Sequence, residues 1–196
     1  GNKRTFRALK ELGFLYGSDL DLPPTTPRTL FTPILRRGLL FPYHPQGWEL
    51  LEITSQSDPT VRPEKVEKVF DRFHEKGGVF VFLTHVPDIG DPGNLDTLEE
   101  FIRYLQSKNT WICTMEEIAR WWLAREKLEI ETERGDDGLI ITAHNRSAYP
   151  LEDITIVFKE AAPAFEKYVL RDREDKVLQE GMIPPSKMVS VAVPAQ

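Results

Sequence analysis

The chain has 196 residues, of which 40% are hydrophobic and 29% charged, and it carries a net charge of -6 with a pI near 5.3. This composition is typical of a globular protein with one large domain or two small ones. The acidic balance argues against a nucleic-acid-binding protein, whose binding face is usually basic. The apolar runs are far shorter than the ~20 residues that a membrane span needs. Cys113 is the only cysteine, which excludes an internal disulfide and a thiolate zinc cluster.

Helical and strand-like patterns alternate as far as Glu126. Apolar residues at helical spacing predict helices in "TFRALKEL", "PEKVEKVFDRFHEKGG", "NLDTLEEFIRYLQSKN" and "TMEEIARWW". Pro63 and Gly77 suit the two ends of the second helix, and Thr114 and Glu117 have the spacing of a capping box. The residues predicted to face a core are Phe6, Leu9, Leu12, Val66, Val69, Phe70, Phe73, Leu95, Leu98, Phe101, Ile102 and Leu105.

Short apolar runs between these helices predict strands in "GFLYGS", "ELLEI", "VFVFL" and "TWIC". Strands that are apolar at successive positions and that alternate with helices are typical of a parallel sheet covered by helices. The first part of the chain, 1–126, is therefore predicted to be an α/β domain.

After Glu126 the periodicity changes to two. "LEIETERGDDGLIITAHN" reads as two alternating runs joined by a turn at Asp136-Asp137, and "LEDITIVFKE", "EKYVLRDRE" and "SKMVSVAVPA" follow. This pattern predicts a second, small all-β domain over 127–196, a β-sandwich. We expect it to pack on the region of Trp111, Trp121 and Trp122.

His85 ends the most apolar of the predicted strands, directly before a loop rich in proline and aspartate. In a parallel sheet with helical crossovers, the carboxyl ends of strands and the loops after them carry the chemistry. His85 is therefore a candidate catalytic residue. The alternative is a structural histidine that ends the strand and bonds to a loop carbonyl.

Leu83-Thr84-His85 resembles the Leu-x-His motif of the polysaccharide deacetylases, the chitooligosaccharide and peptidoglycan deacetylase family of carbohydrate esterases. "NLDTLEEFIRYLQSKNTWICTMEEIARWW" is similar to the last helix of that family and the strand after it, and "TFRALKELGFLYGSD" to the segment that follows its Arg-x-Pro motif. The resemblance covers roughly 1–122. It implies that the first domain is the C-terminal part of a distorted (β/α)7 barrel.

The resemblance also implies roles for individual residues. His85 would be the general acid that protonates the leaving amine, and Leu83 would line the pocket for the acetyl methyl group. Two residues apart in a strand, the two side chains would face the same side. Trp48 is a candidate wall of the sugar pocket, with a buried aromatic as its alternative. Asp88 and Asp19 are candidates to orient the ring of His85.

The metal-binding motifs of the family are not found in this sequence. Its Asp-Asp pair and His-x-x-x-His motif hold a divalent metal, whereas none of the four histidines here, His44, His74, His85 and His144, are four residues apart. Asp-x-x-Asp-Trp is absent as well. We therefore expect no metal ligand and no cofactor in this chain, a zinc-like metal in the complete protein, and no deacetylase activity from the chain alone.

Three interpretations of function follow. The first is the C-terminal portion of a metal-dependent sugar deacetylase, with a carbohydrate substrate and with the N-terminal half of the barrel, or a second chain, as its partner. The second is a non-catalytic carbohydrate-binding protein that uses the β domain and Trp48. The third is a structural fragment. An extracytoplasmic or cell-envelope location is what the resemblance implies, and the residues themselves leave the location open.

Overall fold

The computed structural model describes residues 3–18, 40–45, 49–55, 63–135, 138–158, 166–184 and 187–195. The chain divides into two compact units, Gly1–Ala119 and Arg120–Gln196. The division falls within the helix Met115–Glu126, with which the first predicted domain ends.

All four predicted helices are present. Among the described residues the helices are, in chain order, α1 (Lys3–Glu11), α2 (Pro63–His74), α3 (Val86–Ile89), α4 (Pro92–Ser107) and α5 (Met115–Glu126). The short helix α3 was not predicted, because its four residues are too few for a periodic pattern.

The signals at the helix ends are confirmed. Helix α2 begins at Pro63, where the missing N–H leaves no hydrogen bond unmade, and Gly77 lies beyond its end with φ at +60°. At the start of α5 the Thr114 N–H donates to Glu117 Oε2 over 2.7 Å, and the Glu117 N–H donates to Thr114 Oγ1 over 3.2 Å. This reciprocal pair is the predicted capping box.

The core of the first unit lies between α2 and α4. Its fully buried members are Val66, Phe70, Phe101 and Leu105, and Phe80, Phe82 and Tyr104 pack against them. Four of the twelve residues predicted to face a core belong to this cluster. Of the other eight, six are partly buried and two are exposed. Leu12 is 74% exposed because α1 ends before it, and Leu95, in the first turn of α4, is 50% exposed.

Strand pairing in the first unit is shorter than predicted. Strands β1 (Tyr16–Gly17) and β2 (Leu51–Glu52) pair in parallel, with Tyr16 beside Leu51. The run Val79–Leu83 is extended chain with a bridge at Phe82 rather than a strand, and "TWIC" forms no strand either. A strand requires a paired neighbour, which an apolar run alone does not specify. The described residues form no closed barrel.

Every element described after Lys127 is a strand, as the period of two predicts. The strands are β3 (Leu128–Arg134), β4 (Leu139–Asn145), β5 (Leu151–Val157), β6 (Lys167–Arg171), β7 (Val177–Met182) and β8 (Met188–Val193). Strand β7 was not predicted, because "VLQEGM" shows no regular alternation. The predicted turn at Asp136-Asp137 lies outside the described residues, but Gly135 on one side of it donates to Gly138 O over 2.8 Å.

Two sheets enclose the core of the second unit. One has the strand order β3-β4-β6-β7, with β4 and β6 parallel, and the other pairs β5 with β8. Residues from both sheets form one apolar cluster, to which α5 adds Ala124 and Trp121. The indole N–H of Trp121 donates to the carbonyl of Glu152 over 3.3 Å, so the expected packing on this tryptophan is confirmed. Trp111 belongs to the first unit and is 59% exposed.

Candidate functional site

The segment that carries the Leu-x-His motif presents two faces. The ring of Phe80 packs edge-on against Phe70 and Phe101, and the ring of Phe82 packs edge-on against Phe101. Side chains alternate along extended chain. In agreement with this, Thr84 is partly buried whereas Leu83 and His85 are exposed, Leu83 by 44%. The two motif side chains therefore lie on the face that turns away from the helices.

His85 lies where the extended segment ends and α3 begins. Its backbone is extended, with φ -101° and ψ 136°, and it occupies the N-cap position of α3. The imidazole makes no capping hydrogen bond to this helix. Pro87, in the first turn of α3, restricts the backbone directly after it. His85 is thus an exposed imidazole on a restrained turn.

Thr84, the middle residue of the motif, carries an unusual hydroxyl. Its Oγ1 is buried and makes no hydrogen bond within the described part of the chain. A buried hydroxyl without a partner costs free energy. Asp91, six residues beyond His85, by contrast caps α4, since its Oδ1 accepts the Gly93 N–H over 3.0 Å.

The structure does not describe the other side chains predicted to belong to the site. Trp48, Asp19 and the side chain of Asp88 lie outside the described part of the chain.

The remaining histidines have structural surroundings. His44 Nδ1 lies 3.3 Å from the carbonyl oxygen of Leu50, and His74 Nε2 lies 3.0 Å from that of Lys108. His144 belongs to the second unit, on β4 beside β3. These three histidines are therefore weaker candidates than His85.

The described residues contain no group of three or more histidine, cysteine or acidic side chains that could hold a metal ion. They do not supply the ligand set of a deacetylase metal. Cys113 is a poor nucleophile as well, since burial and then the charge of Glu117 raise the pKa of its thiol to about 11. At neutral pH it is a protonated thiol.

One buried acid was not singled out from the sequence. Glu52 in β2 is 0% exposed, and the backbones of Glu52 and Tyr43 exchange two hydrogen bonds of 2.8 and 3.2 Å. Burial, and secondly the charge of Glu52, raise the pKa of the Tyr43 hydroxyl. The run "ELLEI" contains two acids, Glu49 and Glu52, and nothing in it marks Glu52 as the buried one, since charged residues are rarely buried completely.

A second polar cluster joins the ends of α2 and α4. The Tyr104 hydroxyl donates to Asp71 Oδ1 over 2.6 Å, and Lys108 Nζ lies 3.4 Å from the same oxygen. The hydrogen bond from Tyr104, and then those from Lys108, lower the pKa of Asp71 against the opposing effect of burial. The same hydrogen bond raises the pKa of Tyr104. The hydrogen bond thus stabilises Asp71 as a carboxylate and Tyr104 as a neutral phenol. The cluster links two helices and is unsuited to proton transfer.

Comparison of the chain with family models, with curated proteins and with solved structures finds no match.

Proposed function

We propose that this chain is the C-terminal portion of a polysaccharide deacetylase-like hydrolase that removes acetyl groups from sugars. The substrate would be an N- or O-acetylated carbohydrate, and the partner would be the N-terminal half of the barrel or a second chain. The observation that carries the proposal is the common face of Leu83 and His85, turned away from the helical core at the end of an extended segment.

His85 would act as the general acid. In hydrolysis of an acetamido sugar, water adds to the acetyl carbonyl and a tetrahedral intermediate forms. The proton of that water would go to the general base, an aspartate that the resemblance places in the Asp-Asp pair missing from this sequence. As the carbon–nitrogen bond breaks, the imidazolium of His85 donates its proton to the departing nitrogen, and the products are acetate and the free amine. Imidazole suits this task because it exchanges a proton near neutral pH.

Leu83 would contact the acetyl methyl group. Its side chain is on the same face as the imidazole and is 44% exposed, so apolar surface is available beside the reacting carbonyl. Burying the methyl group there would orient the carbonyl relative to His85.

A divalent metal in this kind of site polarises the acetyl carbonyl and activates water. The described residues do not fit such a metal, and no metal step is assigned to them. The ligands would come from the Asp-Asp and His-x-x-x-His motifs, which this sequence does not contain.

The alternative, a carbohydrate-binding protein without catalysis, would need aromatic side chains open to a sugar ring. In the described part of the second unit the aromatic residues are buried or half-buried: Trp121, Trp122, Tyr149, Phe158 and Tyr168. The second unit therefore gives this alternative little support, and Trp48, its other residue, lies outside the described residues. No helix among the described residues is long and apolar enough to cross a membrane.

The test is acetate release from acetylated chitooligosaccharide, with added zinc or cobalt, by the complete polypeptide that contains this sequence. We expect turnover from that polypeptide and none from residues 1–196 alone. His85→Ala should lower kcat by about 100-fold or more. His74→Ala is the matched control, because it removes another histidine of the same unit and should leave kcat unchanged. Equal kcat for the two variants would refute the role of His85, and an inactive complete polypeptide would refute the proposed function.

A further inference from the structure

Strand β3 forms an edge of the four-stranded sheet. It pairs with β4 along its whole length, seven residues from Leu128 to Arg134, without a register shift. On its other side no strand of the described chain pairs with it, and every residue from Glu129 to Arg134 is exposed. A long, regular edge of this kind is a template for adding a further strand.

The ladder defines which backbone groups are open. The Gly135 N–H donates to Gly138 O, and the Arg146 N–H donates to Lys127 O. Bonded pairs alternate along an antiparallel ladder, so the odd-numbered residues of β3 bond to β4. The N–H and C=O groups of Ile130 and Thr132 therefore point away from β4, towards the open edge.

The side chains of this edge differ between its two faces. Ile130 lies beside the buried Ala143 on the core face, and it is 47% exposed. Along β3 the residues Glu129, Glu131 and Glu133 alternate with Ile130 and Thr132, and their side chains lie together on the opposite face. The open edge thus presents apolar surface on one face and a row of carboxylates on the other.

Two of these carboxylates are available to a partner. Glu129 already pairs with Arg146, whose guanidinium lies 2.8 Å from Glu129 Oε2. For Glu131 and Glu133 the described residues provide no ion pair. A cation opposite each of them in an added strand would be stabilising.

The same row argues against a second copy as the occupant. In an antiparallel pairing of two copies, the open backbone groups belong to even-numbered residues on both sides. Carboxylates would then lie opposite carboxylates, with Glu131 facing Glu131 or Glu133 of the other copy. Like charges directly opposite each other are destabilising.

We propose that the open edge of β3 binds an extended segment of a partner protein in which lysine or arginine alternates with apolar residues. The segment would add as an antiparallel strand, with main-chain bonds to Ile130 and Thr132. Its basic side chains would face Glu131 and Glu133, and its apolar side chains would cover Ile130. This surface does not involve His85.

The probe is the synthetic peptide KVKTKVK, titrated into the full chain, with EVETEVE as its control. Backbone amide exchange measured by NMR reports on individual residues. We expect KVKTKVK to slow exchange at Ile130 and Thr132 by about tenfold or more at saturation. Glu131 should change little because its N–H already bonds to β4. The control peptide should leave all three amides unchanged.

Two variants make the test specific. Thr132→Pro removes an N–H that points outward, so it should leave the β3–β4 ladder intact and weaken binding of KVKTKVK by about tenfold. The double variant E131K/E133K should reverse the preference, so that it binds EVETEVE better than KVKTKVK. Unchanged exchange at Ile130 and Thr132 would overturn the proposal. So would equal affinity of the double variant for the two peptides, or a dimer of the full chain in sedimentation that protects the same amides.

Discussion

The rings of Phe82 and Phe101 meet edge-on, with centroids 5.9 Å apart and planes at 85°. This contact determines the direction of the neighbouring side chains, because residues alternate in extended chain. With Phe82 against the helical core, Leu83 and His85 are directed to the other face, where both are exposed. The contact of Phe82 with Phe101 in α4 thus orients Leu83 and His85, which lie outside the helix.

The hydroxyl of Thr84, which has no hydrogen-bond partner among the described residues, predicts a gain in stability on its removal. Thr84→Val replaces the buried Oγ1 with a methyl group of similar size and should raise the free energy of unfolding by about 1 kcal/mol. Urea denaturation measures the change. Thr84→Ser is the control, because it keeps the hydroxyl and loses the methyl group, and it should lower the free energy of unfolding. A less stable Thr84→Val would mean that the hydroxyl has a partner in the folded protein.

The bond between Tyr104 and Asp71 predicts a pH-dependent stability. Its presence lowers the pKa of Asp71 below the ordinary value of 3.8. A lowered pKa contributes stability that is present above the unfolded pKa and is lost as the pH falls through the folded pKa. Tyr104→Phe should therefore cost at most about 1 kcal/mol at neutral pH, since the pair is partly exposed, and less at acidic pH.

Urea midpoints for the wild type and Tyr104→Phe, compared at neutral pH and below the folded-state pKa of Asp71, measure this dependence. The matched control is Tyr16→Phe, a change at a tyrosine outside the cluster. A stability difference for Tyr104→Phe that stays constant as the pH falls would contradict the assignment.

The effect of Glu52 on Tyr43 predicts a spectroscopic change. Glu52→Gln removes the carboxylate charge and keeps the size of the side chain, so the pKa of Tyr43 should fall. It should stay above the ordinary value of 10.0, because burial is the larger cause of the rise. Ultraviolet absorbance of tyrosinate against pH, with Tyr43→Phe to assign the signal, measures it. An unchanged Tyr43 pKa in Glu52→Gln would show that Glu52 carries no charge at high pH.

Local signals in the sequence predicted most elements of the fold. Thr114 and Glu117 marked a helix start because a capping box is made by neighbouring residues, and the alternation around Gly135 and Gly138 marked the β3–β4 hairpin for the same reason. The run Val79–Leu83 failed as a strand because pairing depends on chain that is distant in sequence. Its successive apolar residues also predicted burial on both faces, whereas Phe80 and Phe82 pack against the helical core and Leu83 is exposed.

The candidate site was predictable only in part. The sequence shows that His85 follows an apolar run. It does not show that the ring makes no capping hydrogen bond, because that depends on the conformation of the turn that leads into α3. The complete burial of Glu52 depends on packing around β1 and β2, and no local pattern specifies it.

The most direct test of the proposed role of His85 compares two leaving groups. In the complete polypeptide, His85→Gln removes a proton donor from the acetyl-transfer step. Hydrolysis of acetylated chitooligosaccharide, whose amine must be protonated to leave, should lose about 100- to 10,000-fold in kcat/KM. Hydrolysis of 4-nitrophenyl acetate, whose leaving group needs no proton, should be nearly unchanged. A loss that is equal for both substrates, or no loss for either, would contradict His85 as the general acid.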